Sequence, residues 1–161
     1  MAITDYFLKI DGIPGESKAD KHQNEIDVLS WSWGETQPAT ASFGGGAGAS
    51  RANMEDFGFT MHMSTATPKL IEACATGTHI KSAILICRKA GKEQQEYLKF
   101  TFTDCLISSY QTGGSDSSII PIDQISINFS KIEFEYKEQK ADGTMGGAVK
   151  TGYDLKLNKK V

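Results

Sequence analysis

The clearest pattern in the chain is alternation. Phe57, Phe59, Met61 and Met63 are separated by Gly58, Thr60 and His62. A two-residue period puts the apolar side chains on one face of a strand and the polar ones on the other. Tyr97 to Tyr110 carries Leu98, Phe100, Phe102 and Leu106 in one parity. Near the end, Val149, Tyr153, Leu155 and Leu157 alternate with Lys150, Asp154, Lys156 and Asn158. Tyr6 to Ile10 alternates weakly and predicts a first strand. Ile80 to Arg88, IKSAILICR, is nearly all apolar and predicts a strand covered on both faces. Ile26 to Trp33 predicts another strand. Its apolar phase changes between Val28 and Leu29, which requires either two covered faces or a bulge. Ile119 to Tyr136 predicts the longest strand. Ile125, Ile127 and Phe129 share one parity and Ile132, Phe134 and Tyr136 the other, so a bulge near Ser130 and Lys131 would restore a single apolar face.

One stretch breaks the period of two. In TPKLIEACATG, Thr67 suits an N-cap, Pro68 a first helical position and Gly77 the left-handed position that ends a helix. Leu70, Ile71 and Cys74 are expected on its buried side. Residues Glu35 to Asn53, ETQPATASFGGGAGASRAN, form a long small-residue loop with a single aromatic, Phe43, before Gly44, Gly45 and Gly46. Loops of this length are uncommon in compact domains and usually have a function. Long strands, tight turns and a single helix predict a mainly β fold, an antiparallel two-sheet β-barrel with one short flanking α-helix, occupying 1–161 as a single domain.

Composition narrows the partners. Of 161 residues, 17 are Lys or Arg and 20 are Asp or Glu, a formal net charge of -3. Nucleic-acid binders usually show a basic excess, so none is expected here. No apolar run reaches the roughly 18 residues of a membrane span. The N-terminus, MAITDYFLKIDG, has no basic segment followed by an apolar one, so export by an ordinary signal peptide is not expected. Cys74, Cys87 and Cys105 are odd in number and widely spaced, which predicts reduced thiols rather than a disulfide framework.

The search for catalytic chemistry finds little. FGGGAGASR lacks both glycine-rich phosphate-binding patterns and leads into a strand, without the helix N-terminus that a phosphate cradle uses. His22, His62, His79 and the cysteines show no metal-ligand spacing. There is no GxSxG elbow. A hydrolase would need a site assembled only in the fold, with His62 as its base. Among the carboxylates Asp5, Asp11, Glu16, Asp56 and Glu72, none forms an evident acid–base pair. No enzyme, cofactor or metal is expected.

Trp31 and Trp33 are the only tryptophans and stand two residues apart, on one face of a strand. Three readings are open: core packing, a subunit contact, or a stacking platform of a monomeric carbohydrate-binding module. Ser30 and Ser32 point the opposite way.

Taken in order, GESKADKHQNEIDVLSWSWG, the glycine-rich loop, STATPKLIEACATGTHIKSAILICRKAG, YLKFTFTDCLISSYQTGGS and QKADGTMGGAVKTGYDL resemble the haemolysin-coregulated proteins of bacterial type VI secretion. The most specific marks are Gly15-Glu16-Ser17-Lys18, Trp31-Ser32-Trp33-Gly34, Thr67-Pro68, Arg88-Lys89-Ala90-Gly91, Thr112-Gly113-Gly114-Ser115 and Lys140-Ala141-Asp142-Gly143. The resemblance implies a small β-barrel whose copies close into hexameric rings, and rings that stack into a hollow tube. It also implies a spike protein, a contractile sheath and small effector proteins as partners. The subunit would be made in the bacterial cytoplasm and secreted with the tube. Ser32 and Ser115 are expected to face the lumen, and Phe43 with Gly44, Gly45 and Gly46 to form a ring-stacking loop. With nothing after Val161, cargo is expected to be a separate protein.

Overall fold

The computed structural model describes residues 4–38, 51–90 and 94–161. Within them the strands are β1 (Thr4–Ile10), β2 (Ile26–Asp27), β3 (Ser30–Ser32), β4 (Glu35–Thr36), β5 (Asn53–Met54) and β6 (Phe57–His62). After the helix α1 (Thr67–Thr76) come β7 (Ile80–Lys89), β8 (Glu96–Gly113), β9 (Ile122–Gln139), β10 (Met145–Asp154) and β11 (Lys159–Lys160). One nine-stranded antiparallel sheet runs β11-β10-β9-β8-β7-β1-β2, and β6 branches from β9 and carries β3. The ribbon β4–β5 stands apart.

The fold is mainly β with one helix, but the expected two-sheet barrel needs correction. A single sheet wraps the core, and its hydrogen-bonded ladder does not close as a barrel. The predicted Ile26–Trp33 strand is two short strands. Val28 donates its N–H to the Tyr6 carbonyl at 3.0 Å, and Leu29 donates to the Thr60 carbonyl at 2.8 Å. The chain therefore leaves β1 for β6 where its apolar phase changes.

The strand cores follow the alternation. Phe57, Phe59 and Met61 of β6 are buried, as are Ala83, Leu85 and Cys87 of β7. The second face of β7 is only half covered. In β8, Phe100 and Phe102 are buried but Leu106 is exposed, and Cys105 and Ile107 take its place. The cause is Asp104, which adopts a left-handed φ of 54°. Its partner strand changes phase opposite it, from Phe129 to Ile132. Both strands switch together, so Phe102 still faces Ile132 and Cys105 faces Phe129 without a register shift. The shift falls instead between Ile107 and Ser109. β9 begins at Ile122, later than alternation predicts. Pro121 has no N–H to give a ladder, and the segment before it is turned upon itself, with Ser118 N–H bonded to the Ser115 carbonyl at 3.2 Å.

The helix is capped by Ala66 rather than Thr67, without a side-chain bond. The Thr67 hydroxyl is engaged elsewhere. It accepts from the Ser64 N–H at 3.0 Å and donates to the buried Asp123 carboxylate at 2.6 Å. Tyr110 donates to the other oxygen of Asp123 at 2.9 Å. The buried stripe is Thr67, Leu70 and Ala73, so Ile71 is exposed, one position off the expected side. Gly77 ends the helix at φ 62°.

A second, smaller packing unit covers the outer side of β1. The Phe7 ring lies flat on His22, with centroids 4.5 Å apart, and the Arg88 guanidinium sits 4.7 Å from its centroid. His22 contacts the Glu25 carboxylate at 3.0 Å and Glu96 at 2.7 Å. Gly15 N–H bonds the Asn24 carbonyl at 2.7 Å, and any Cβ at Gly15 would fall 2.5 Å from the Glu25 carbonyl oxygen.

Candidate functional site

Four strands, β3, β6, β9 and β8, present their non-core faces side by side. Register aligns these faces in rows. Ser30 pairs with Thr60, Thr60 with Gln124 and Gln124 with Gln111. The next row is Ser32, Gly58, Ser126 and Ser109. The core side of the same strands holds Trp31, Phe57, Phe59, Ile125 and Ile127. Alternation alone thus makes a wall, greasy behind and paved with short hydroxyls and amides in front.

The paving is hydrogen-bonded to itself. Ser30 and Thr60 hydroxyls lie 2.7 Å apart. Ser108 donates to Asp56 at 2.6 Å and lies 2.8 Å from the Ser126 hydroxyl. Asn128 donates to the second Asp56 oxygen at 2.9 Å. A shallow depression of about 310 Å³ is lined by Ser30, Ser32, Thr60, Ser109, Gln124 and Ser126. Such a surface can hydrogen-bond a passing polypeptide, but it offers neither a strong charge nor an apolar trap. Among the described residues the ladder also stops on both sides of this wall: β3 pairs only with β6, and from Leu106 to Gly113 β8 pairs only with β9.

Ser32 stands in the middle of the wall. Ser115 does not join it; it lies exposed in the turn beyond β8, its hydroxyl 3.0 Å from that of Ser117. Trp31 and Trp33 pack from behind the wall against the core. Trp31 meets Phe100 edge-on at 5.4 Å, and Trp33 meets the same ring at 6.0 Å. Both indoles are committed to an aromatic cluster rather than laid open as a flat platform. Trp33 Nε1 is buried without a hydrogen-bond partner among the described residues. Phe43, Gly44, Gly45 and Gly46 lie outside the described residues. Sequence reasoning singles out Ser32 in this wall and misses Thr60, Ser109, Gln111, Gln124 and Ser126. Their signal was present as the polar phase of β6 and β9. What was missing was the register that lines them up.

The other polar groups are dispersed. His62 is exposed at the end of β6, and no carboxylate is bonded to it among the described residues. His79 is exposed beside Asp104 at 3.1 Å. That contact, with Lys156 nearby, holds the Asp104 carboxyl below its ordinary value. Burial raises the Asp27 carboxyl against a lowering hydrogen bond from Ser17. Burial also pushes the Cys87 and Cys105 thiols up to about 12.

Comparison with known proteins bears on the family. The sequence profile of the family described as "Type VI secretion system effector, Hcp" matches residues 7–136. Protein hcp1 of Pseudomonas aeruginosa is 44% identical over 156 residues, covering 96% of both chains. The crystal structure of Hcp1 from Salmonella typhimurium superimposes with a TM-score of 0.82 at 38% identity, over 99% of this chain and 100% of that one. A solved structure described as a type six secretion system protein reaches a TM-score of 0.91 at 29% identity, over 98% of this chain and 99% of that one.

Proposed function

We propose, from the premise that this chain belongs to the Hcp family of type VI secretion proteins, that it is a structural subunit of the secretion tube. Six copies, the number that the family resemblance implies, close head to tail into a ring, and rings stack around a common bore. The hydroxyl wall of β3, β6, β9 and β8 faces that bore. One observation carries this reading: the wall is a four-stranded sheet with small polar side chains in front and, among the described residues, unpaired backbone on both flanks. Unpaired strand edges invite pairing. A heterologous contact joining one flank to the other on the next copy closes into a ring when the rotation permits. Serines and threonines leave the bore wide and wet, suited to small effector proteins that must bind weakly and leave.

Phe43 with Gly44, Gly45 and Gly46 supplies the contact between stacked rings, with Phe43 as its apolar anchor. The spike protein and sheath are the partners at the tip and around the outside, and export follows the tube. The role is structural rather than catalytic.

Purified protein is expected to scatter light as a species several times the monomer mass and to appear as annuli in negative stain. A monomer that persists at high concentration overturns the proposal. Ser32→Cys, made with Cys74→Ala and labelled with a small gold cluster, is expected to put gold inside the annulus. Gold on the outer rim would refute the orientation of the wall.

A further inference from the structure

After Trp33 the chain leaves the main sheet and forms the separate ribbon β4–β5. Across from that ribbon, register sets two rows on the core side of β8, β9 and β10. One is Phe100, Phe134 and Thr151, and the next is Phe102, Ile132 and Tyr153. A groove of about 840 Å³ lies between ribbon and sheet, within the roughly 300–1,000 Å³ of small-molecule sites. Its lining is mainly apolar, with Trp33 and Met54 on the ribbon side and Phe100, Ile132, Phe134 and Tyr153 on the sheet side. Phe100 and Ile132 are buried, while Phe134 is only half covered. The core face of the sheet thus runs on past the point where the rest of the fold covers it.

Two donors along this groove have no acceptor among the described residues. Trp33 Nε1 is buried and unbonded, and a buried N–H left without an acceptor calls for an explanation. Lys160 is exposed at the rim. The lysines that form ion pairs are Lys131, Lys137, Lys150 and Lys156, and Lys160 is not among them. The remaining polar groups of the lining do not serve these donors. Tyr153 turns its hydroxyl to Asn158, donating at 2.5 Å, and Glu35 lines the groove without pairing to Lys160. Charge and lining together select the ligand. A neutral head group could accept from the indole but would leave the ammonium unpaired. A cationic head would find Glu35 and leave both donors as they are. A carboxylate accepts from the indole and pairs with the ammonium, and an aliphatic chain suits the aromatic lining.

We propose that the groove between β4–β5 and β8–β10 binds an aliphatic carboxylate of the fatty-acid class, its chain against Phe134, Tyr153 and Met54 and its head between Trp33 Nε1 and Lys160. The groove shares no residue with the depression in the polar wall, so its ligand is independent of the tube.

Dodecanoate, kept below its micelle concentration, is the probe, and its binding to the full chain is followed by equilibrium dialysis at pH 8. Saturation at one dodecanoate per chain is expected. Trp33→Phe keeps an aromatic ring and removes the N–H, and should weaken binding about tenfold. Lys160→Met keeps the stem and removes the charge at an exposed position that the core does not use, and should weaken binding about threefold. Lys156→Met removes a charge from the adjoining turn, outside the groove, and should leave binding unchanged. Dodecylammonium, with the same chain and the opposite charge, should bind about tenfold more weakly than dodecanoate. Absence of saturable binding overturns the site. Equal binding of the two amphiphiles, or the same affinity in Lys160→Met as in Lys156→Met, overturns the carboxylate assignment.

Discussion

Cys87 and Cys105 show how far position alone sets the behaviour of a residue here. Both face the core, and burial pushes their thiols up to about 12 from an ordinary 9.0. The sign is that of a folded state that holds its protons more tightly than the unfolded chain. The stability they contribute is complete below pH 9 and is lost as pH rises towards 12. Tyr6 and Tyr110 are raised mainly by burial as well, and act in the same sense above their ordinary range near 10. Melting temperature is therefore expected to fall steadily above pH 9, and replacing both cysteines by alanine should flatten the start of that fall. In native protein at pH 8 a thiol-reactive dye should label Cys74, which is partly exposed, while the other two react only after denaturation. Phe57 is fully buried against Trp31, Phe59, Phe100 and Phe102. Phe57→Ala should cost about 3–5 kcal/mol in urea unfolding.

At the scale of elements, two glycines that look alike in sequence have opposite consequences. Gly15 lies where the covering segment of β1 closes on itself, and a Cβ there would collide with backbone at 2.5–2.8 Å. Gly15→Ala must move that segment away from Phe7, so it is expected to lower the melting temperature and to open the His22 packing to hydrogen exchange. Gly58 sits within β6, and its Cβ would meet the Ser32 hydroxyl at an ordinary 3.5 Å. Because glycine weakens an element interior by roughly 0.5–1 kcal/mol relative to alanine, Gly58→Ala should be neutral or stabilising by up to about that amount. A drop of the Gly15 kind would mean that the wall is closer packed than its depression suggests. The paired phase change at Asp104 and Ser130 belongs to this scale too. Neither strand could turn its apolar face alone without losing the ladder to its neighbour, so the irregularity occurs in both at once.

For the whole molecule, assembly and stability are one equilibrium. If copies bury the flanks of the polar wall against one another, association favours the folded form by mass action. A tenfold increase in protein concentration should raise the melting temperature of the parent and leave that of a ring-deficient variant unchanged. Equal melting at both concentrations, with annuli present, would mean that rings dissociate before the subunit unfolds.

The amino-acid sequence by itself determined the element types, the aromatic side of β6, the left-handed end of α1 at Gly77 and the family. Each depends on a local period, a single backbone requirement or a linked set of motifs, which a linear reading can hold. Tertiary structure alone decided that the strand after Ile26 changes partners, that Thr67 serves Asp123 instead of the helix end, and that Ile119 stands outside β9. It also decided that Ser32, Gly58, Ser126 and Ser109 form one row. Those outcomes are competitions among residues far apart in the chain for the same hydrogen bond or the same face. The winner of such a competition is set by register, and register is a property of paired strands rather than of either strand alone.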